Sequence, residues 1–187
     1  MLKKNKRLIL SLAILTVAIL ADQIIKFAVK LSMFKHESIR VFDWFYIYFT
    51  ENKGMAFGME LFDKVFLTGF RMVAVVFICY YLFKIIKNLK FPIGYILCVA
   101  FVLAGAIGNL IDSMIYGEIF TDSDGRVAEL VPFGEGYGQF LHGQVVDMFY
   151  FPIIDTNWPE WMPFVGGEHF IFFISGARKY IISKSYY

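Results

Sequence analysis

Three long apolar runs dominate the first two thirds of the chain. They cover residues 8–29, 65–83 and 91–111, and charged or turn-forming residues separate them. An α-helix rises about 1.5 Å per residue, so about 20 residues cross the roughly 30 Å hydrocarbon core of a bilayer. Each run is close to that length, and the pattern therefore predicts three transmembrane helices.

The first run also has features of a signal peptide, because a basic segment precedes it. Ile19, however, disrupts the small-x-small cleavage site that would end at Ala21. Apolar positions then continue to residue 29. We therefore interpret residues 8–29 as a retained transmembrane helix.

The carboxyl end of the chain does not repeat this pattern. Residues 170–174 form only a short apolar core, and three cations follow it: Arg178, Lys179 and Lys184. Cations at membrane depth are costly. We therefore predict no fourth spanning helix here and treat residues 174–187 as an atypical tail.

The segments between the apolar runs differ in character. Residues 39–49 are aromatic and β-branched, which is typical either of strands or of an aromatic ledge at the membrane interface. Residues 121–143 and 155–167 are rich in Gly, Pro or acids. Such composition predicts loops.

The composition agrees with a protein that lipid surrounds. Hydrophobic residues make up 58% of the 187-residue chain and charged residues 18%, whereas soluble domains have about 45–50% and about 25%. The net charge of +2 is too small to indicate a nucleic-acid partner. We predict one integral-membrane domain over residues 1–187, an all-α helical bundle in contact with membrane lipid.

The distribution of Lys and Arg predicts the orientation of this domain. The first seven residues and the 84–90 segment are both basic, and short basic segments tend to stay in the cytoplasm. Residues 30–64 and 112–169 then lie on the extracytoplasmic side.

Neither cysteine indicates a disulfide or a metal site. Cys79 and Cys98 lie in apolar runs, without His or Cys at metal-ligand spacing. Buried or lipid-facing positions are the usual place of free cysteines. The cysteines therefore predict no disulfide framework and no zinc site, and no metal ligand set is predicted from them.

Ionisable side chains inside a span usually face the bundle interior. Asp22 and Lys26 are four residues apart and share a helix face. They form either a mutual ion pair or a polar wall beside a site. Arg71, in the outer third of the second span, is expected to snorkel outward or to pair with an acid rather than to act in catalysis.

The third span carries a stripe of small and polar residues. Gly105, Asn109 and Asp112 are spaced to share one face, and Asn109 is suited to helix packing as well as to a site. Ala104 and Gly108 form a small-xxx-small pair, which lets another helix approach closely.

The segment ENKGMAFGM, residues 51–59, combines Asn52 with Gly54. Glycine adopts backbone conformations that other residues resist. A turn that presents Asn52 and backbone amides to a substrate is one interpretation, and an ordinary loop is the other.

Asp147 is a lone carboxylate in the aromatic stretch VVDMFYFP, residues 145–152. The predicted orientation places it outside, at the same depth as Asp22, Asn109 and Asp112. In a half-wet site of low dielectric the pKa values of neighbouring carboxyls spread apart, and two carboxyls that share a proton activate water. The alternative is that Asp147 caps a turn at the interface.

Four motifs in order resemble the signatures of lipoprotein signal peptidase, or signal peptidase II. They are DQIIK at 22–26, ENKGMAFGM at 51–59, AGAIGNLID at 104–112 and VVDMFYFP at 145–152. The resemblance covers roughly residues 1–173. Each motif alone is of modest specificity, but their order and the spans between them are specific.

The resemblance implies a four-helix membrane aspartic endopeptidase with a small extracytoplasmic β-cradle. Such an enzyme cuts the signal peptide from a prolipoprotein, directly before the Cys that carries diacylglycerol. It uses no cofactor, globomycin inhibits it, and it works at the outer leaflet of the bacterial cytoplasmic (inner) membrane, with its amino terminus in the cytoplasm. The first of its two catalytic aspartates matches Asp147. The expected supporting or substrate-binding residues are Asp22, Lys26, Asn52, Gly54, Asn109 and Asp112.

The sequence departs from the family pattern in two places. Many members have Arg directly after the aspartate that matches Asp112, whereas this chain has Ser113, so a cation near the site is absent or supplied elsewhere. The family's second catalytic aspartate lies in a Phe-Asn-x-Ala-Asp motif that opens the fourth helix. Here the resemblance stops within FIFF, residues 170–173, and no Asp follows Asp155.

A frameshift near the FIFF codons is our hypothesis for this ending, and the gene sequence downstream tests it. One carboxylate does not serve as both base and acid of a dyad, so we expect this exact chain to be severely impaired. Two other functions stay open at this point. One is an inactive prolipoprotein-binding membrane protein. The other is a small transporter subunit with Asp22, Lys26 and Asp112 along a polar path.

Overall fold

The computed structural model describes residues 2–52, 64–157 and 169–174. It contains three long helices in this part of the chain: α1 Leu2–Ser32, α2 Lys64–Lys87 and α3 Ile93–Ile111. All three are long and apolar enough to cross a membrane. The prediction of three apolar helices of membrane-spanning length is therefore confirmed. Pro92 directly precedes α3, as suits a residue that starts a helix.

The third helix does not end where the apolar run ends. A π-helical turn, Asp112–Tyr116, continues it, and a last turn, α4 Gly117–Ile119, follows. The predicted span ended at residue 111, where the apolar run ends and Asp112 follows. The helix continues because Lys26 of α1 pairs with that acid and removes the cost of a lone buried charge.

A small antiparallel sheet of four strands lies beyond the helices. The strands lie in the sheet in the same order as in the sequence: β1 Ser38–Phe42, β2 Phe45–Asn52, β3 Val145–Asn157 and β4 His169–Ile174. Stretch 39–49 therefore forms strands, one of the two predicted alternatives. Residues 155–157, predicted as loop, belong to β3 instead, because they pair with the first residues of β4. The FIFF segment is part of a strand and not of a helix.

Two apolar clusters hold these elements together. The inner cluster lies between the helices and includes Leu82, Ile85, Ile96 and Leu103, each at most 5% exposed. The outer cluster joins the end of α1 to the sheet and the π-helical turn. Its buried members are Val29, Met33, Phe49, Tyr116, Phe120, Val146 and Met148. The second cluster therefore fixes the sheet against the outer ends of α1 and α3.

The 121–143 segment folds back against the π-helical turn. The Gly143 amide donates to the Ser113 carbonyl over 2.9 Å, and the Gly138 amide donates to the Gly117 carbonyl over the same distance. A Cβ on Gly143 would lie only 2.0 Å from the Asp112 carbonyl oxygen. Only glycine therefore permits this approach, which brings β3 beside Asp112.

Candidate functional site

Lys26 is the centre of a polar cluster at the end of the helices that meets the sheet. Its ammonium group is buried, with 3% side-chain exposure, and lies 3.1 Å from Asp22 Oδ2 and 2.7 Å from Asp112 Oδ2. It also donates to Asn109 Oδ1 over 3.0 Å. A lysine has three N–H donors, so these acceptors use all of them. One cation therefore joins two carboxylates and an amide across α1 and α3.

Asp112 is fully buried and accepts hydrogen bonds from three directions. Gln23 Nε2 donates to its Oδ1 over 3.1 Å, and the Val146 amide donates to its Oδ2 over 3.2 Å, beside the Lys26 ammonium. The bond to Val146 comes from β3, one residue before Asp147. Asp112 therefore sets the position of the strand that carries the candidate catalytic carboxylate.

Asp147 lies inside β3, directly opposite Thr50 of β2. It does not cap a turn, as one interpretation of the sequence proposed. Side chains two residues apart share a face of a strand, and Asn52 on the neighbouring strand reaches the carboxyl of Asp147 with a hydrogen bond. The carboxyl is half-buried. It is therefore held at the edge of the polar cluster and is still open to a substrate.

The environment of Asp147 shifts its proton affinity. Burial raises the pKa of Asp147 to about 6, and the charge of Asp112 acts in the same direction. The positive charges of Lys26 and Arg71 and the Asn52 hydrogen bond act to lower that pKa. A carboxyl with a pKa near 6 exchanges a proton close to neutral pH, as general acid–base catalysis requires.

Helix α2 contributes a cation from the opposite side. Arg71 Nη1 donates to Ser113 Oγ over 2.5 Å. The guanidinium does not snorkel outward, and its hydrogen-bond partner is a hydroxyl rather than the acid that the sequence analysis considered. A cation thus reaches position 113 from α2, although residue 113 itself is a serine.

A second buried ion pair fixes β2. Lys30 is fully buried, forms an ion pair with Glu51 and donates to Ser123 Oγ over 3.0 Å. The aromatic rings of Phe120 and Tyr137 each lie 5.2 Å from the Lys30 ammonium, within the range of a cation–π contact. Because Glu51 precedes Asn52, this pair anchors the strand that presents Asn52 to Asp147.

The structure brings most of the predicted site residues together. Asp22, Lys26, Asn109 and Asp112 form one connected cluster, and Asn52 and Asp147 form the adjoining part on the sheet. Asp22 and Lys26 satisfy both predicted interpretations, because their ion pair is part of the wall. Gly54 lies outside the described residues.

Helix α3 contacts α1 through its small residues. A Cβ on Gly105 would meet no heavy atom within 4 Å, so this position faces open space rather than α1. Gly108 faces α1 instead, because its Cβ would lie 2.2 Å from Asp22 Oδ2. Ala104 is also buried. The small-xxx-small pair, Ala104 and Gly108, therefore marks the contact face.

Sequence reasoning missed Gln23 and Lys30 and did not assign Arg71 to the site. Gln23 bridges Asp112 and the Tyr116 hydroxyl, which donates to Gln23 Oε1 over 3.1 Å. Gln23 precedes Lys26 by three residues, and Lys30 follows it by four. This spacing places all three on one helix face. That periodicity was a usable signal. The contact between Arg71 and Ser113 has no such signal, because it joins two separate helices.

The cluster holds carboxylates, amides and cations but gives little support for a bound metal. Among the described residues, no group of three or more His, Cys, Asp or Glu side chains is arranged to hold a metal ion. The arrangement supports proton transfer at Asp147 beside a polar wall of paired charges.

Comparisons with known proteins agree with this architecture. The family model described as signal peptidase (SPase) II matches residues 14–173. The lipoprotein signal peptidase of Porphyromonas gingivalis is 47% identical over 161 residues, which is 86% of this chain and 71% of that protein. The lipoprotein signal peptidase of Amoebophilus asiaticus is 32% identical over 158 residues, covering 81% of this chain and 63% of that protein.

A solved structure supports the fold. It is described as a bacterial membrane enzyme structure by the in meso method, and it matches with a TM-score of 0.52 at 20% identity. The match covers 85% of this chain and 76% of that chain. A membrane helical bundle with a small sheet is consistent with this neighbour. On the family model and the two relatives, the chain belongs to the signal peptidase II family of membrane peptidases, which remove signal peptides from prolipoproteins.

Proposed function

We propose that this peptidase acts on diacylglyceryl-modified prolipoproteins, that it cuts directly before the lipidated Cys, and that Asp147 is one of its two catalytic aspartates. The single observation that carries the proposal is the half-buried carboxyl of Asp147, with a pKa raised to about 6, at the edge of the Lys26 cluster. A lipidated substrate is suited to this place, because the scissile bond then lies at the membrane surface.

The same proposal places the site at the outer leaflet of the bacterial cytoplasmic membrane. Arg7 of α1 donates to the Asn88 carbonyl in the turn between α2 and α3 over 3.4 Å. The two basic segments of the chain therefore share one end of the bundle, and the sheet and Asp147 lie at the other. Basic segments favour the cytoplasm, which supports an extracytoplasmic site.

A dyad needs a second carboxyl close to Asp147. The charge of Asp112 raises the pKa of Asp147, so Asp112 is the first candidate for this partner. Its oxygens, however, already accept hydrogen bonds from Lys26, Gln23 and the Val146 amide. Asp112 is therefore suited to position Asp147 and not to share its proton. The second aspartate of the family motif has no counterpart in this sequence. We therefore expect slow cleavage by this exact chain.

The test is a cleavage assay with a lipidated prolipoprotein in detergent, with enzyme in excess so that a single slow turnover is visible. Asp147→Asn is expected to reduce the rate at least about 100-fold, because it removes a proton-transfer group. Asp43→Asn, in the exposed turn between β1 and β2, is the matched control and is expected to leave the rate unchanged. Globomycin is expected to block the cleavage that depends on Asp147.

Three outcomes separate the alternatives. Cleavage that depends on Asp147 supports the proposal. Binding of the lipidated substrate without any cleavage favours an inactive prolipoprotein-binding protein, for which the missing motif aspartate is the motivating observation. Cleavage that proceeds equally well in Asp147→Asn overturns the catalytic role of Asp147.

A further inference from the structure

Arg71 makes a directed contact across the interface of two helices. Its Nη1 donates to Ser113 Oγ, and that hydroxyl donates its own proton to the Asn109 carbonyl over 2.8 Å. Ser113 is fully buried. The hydroxyl therefore accepts from α2 and uses its one proton on its own helix. The guanidinium is held at the residue that follows Asp112.

We propose that Arg71 is a positioning residue of this peptidase, which reaches from α2 to Ser113 and supplies the positive charge that faces Asp147 from the α2 side. The proposal rests on Asp147 as the reacting carboxyl. It adds a role for Arg71 that neither the motifs nor the family relationship assigns to this position.

The charges around Asp147 explain why a second cation matters here. On α1, Lys26 pairs with both Asp22 and Asp112, so its charge is shared between two carboxylates. On β2, Asn52 is neutral and the charge of Glu51 is paired with buried Lys30.

On α2, by contrast, the guanidinium of Arg71 forms no ion pair of its own within the described residues. Three carboxylates, those of Asp22, Asp112 and Asp147, thus face two cations, Lys26 and Arg71. Both cations act to lower the pKa of Asp147 against the effect of burial. The charge of Arg71 is therefore available to Asp147.

A purely structural role for Arg71 predicts a different result. Helix α2 is already tied to the loop before β3 by Lys64, which donates to the His142 carbonyl over 3.0 Å. The Thr68 hydroxyl also lies 3.1 Å from the Leu141 carbonyl oxygen and shares its proton between that oxygen and the Lys64 carbonyl. These residues and Arg71 share one face of α2, at spacings of four and three. Loss of Arg71 is therefore expected to leave the helix in place and to change the charge at the site.

The experiment is a direct titration of Asp147 by infrared difference spectroscopy on the full chain in lipid nanodiscs. The signal is the protonated-carboxyl band that disappears in Asp147→Asn. In Arg71→Gln its midpoint is expected to move to higher pH by roughly 0.5–1 unit, because a nearby positive charge is lost. Arg71→Lys keeps the charge and is expected to stay within about 0.3 unit of the unmodified chain.

Two further variants separate charge at this spot from charge in general. Lys84→Gln removes an exposed cation at the other end of α2 and is expected to leave the midpoint unchanged. The double variant Arg71→Gln with Ser113→Arg places a guanidinium where the Arg71 contact lies and is expected to return the midpoint toward its original value. Thermal unfolding of every variant reports whether the fold is retained.

The outcomes decide the proposal without any need for turnover. A midpoint in folded Arg71→Gln equal to that of the unmodified chain overturns it, and so does an equal shift in Arg71→Lys. The expected pattern, with recovery in the double variant, supports it. The cleavage assay with Asp147→Asn tests the proposed function separately, so failure of one is distinguishable from failure of the other.

Discussion

At the residue scale, the site is organised around buried charges that satisfy one another. Removal of one member of a buried ion pair typically costs about 3–5 kcal/mol, because the partner is left as an uncompensated charge. Lys26 and Asp112 are both at most 3% exposed, and they connect α1, α3 and β3. Their main effect is therefore to fix the geometry at Asp147, which is left half-buried and titratable.

The raised pKa of Asp147 predicts a pH-dependent cost to stability. An unfolded Asp has a pKa of about 3.9, whereas in the folded protein it is about 6. The folded state thus binds this proton more tightly, so the contribution of Asp147 to stability falls as the pH rises from about 4 to about 6 and is constant above. Asp147→Asn is expected to stabilise the protein by on the order of 1–2 kcal/mol at pH 8, after allowance for partial exposure.

Denaturant unfolding in mixed micelles at pH 8, 6 and 4 measures this effect. The gain from Asp147→Asn is expected to shrink as the pH falls toward 4, where the folded carboxyl is almost fully protonated and the unfolded carboxyl is about half protonated. Asp43→Asn, at an exposed position, is expected to stay within about 0.5 kcal/mol of the unmodified protein at every pH. A gain from Asp147→Asn that does not change with pH would contradict the explanation by titration.

At the scale of the elements, the contact of α1 with α3 depends on the absence of a side chain at Gly108. Its Cβ would lie 2.2 Å from Asp22 Oδ2 and 3.1 Å from Asp22 Cγ. The Asp22 carboxylate is not free to move away without loss, because it pairs with Lys26. Helix packing and the polar cluster are therefore coupled at this one position.

Gly108→Ala is accordingly expected to destabilise the protein by about 1–3 kcal/mol, the usual cost of overpacking. Gly105→Ala is the matched control, one turn of the same helix away and with nothing within 4 Å of the added carbon. It is expected to be neutral or slightly stabilising, since Ala is the better helix former. Unfolding midpoints in mixed micelles compare the two, and equal losses would contradict the proposed contact.

At the scale of the whole molecule, two kinds of surface meet at the outer end of the bundle. Large apolar side chains such as Phe70, Phe77 and Phe101 are more than half exposed on the helices, as expected where lipid takes the place of a protein core. The sheet and the 121–143 segment form the second kind of surface, at the end of the bundle that carries the site. The site lies where the two regions meet, which suits a substrate that is both lipidated and peptidic.

The proposed orientation predicts which parts of the chain face each side of the membrane. In a Cys79→Ala and Cys98→Ala background, Asp124→Cys is expected to react with a membrane-impermeant maleimide in intact spheroplasts. Lys87→Cys is expected to react only after permeabilisation. Both positions are exposed, so accessibility in the fold does not limit either reaction. The reverse pattern of labelling would contradict the orientation.

Local patterns in the sequence were enough to predict the three helices and most of the polar cluster, whereas for the 39–49 stretch they left strands and an interfacial ledge as alternatives. Apolar runs of spanning length permit few structures in a bilayer, because every backbone polar group must be satisfied within the segment. The pairing of Asp22 with Lys26 was also readable, since residues four apart on a helix are neighbours. Asp147 and Asn52 stood out locally only as a lone carboxylate and a loop amide, and the family motifs supplied their expected roles.

How these pieces meet follows from tertiary contacts. They continue α3 beyond Asp112, identify α1 as the helix that packs against Gly108, and bring Arg71 to Ser113. Each of these depends on contacts between residues distant in the chain, whose energies a local pattern does not contain. The spans follow from local hydrophobicity, whereas the charge environment of Asp147 follows from the packing of four separate elements around one carboxyl.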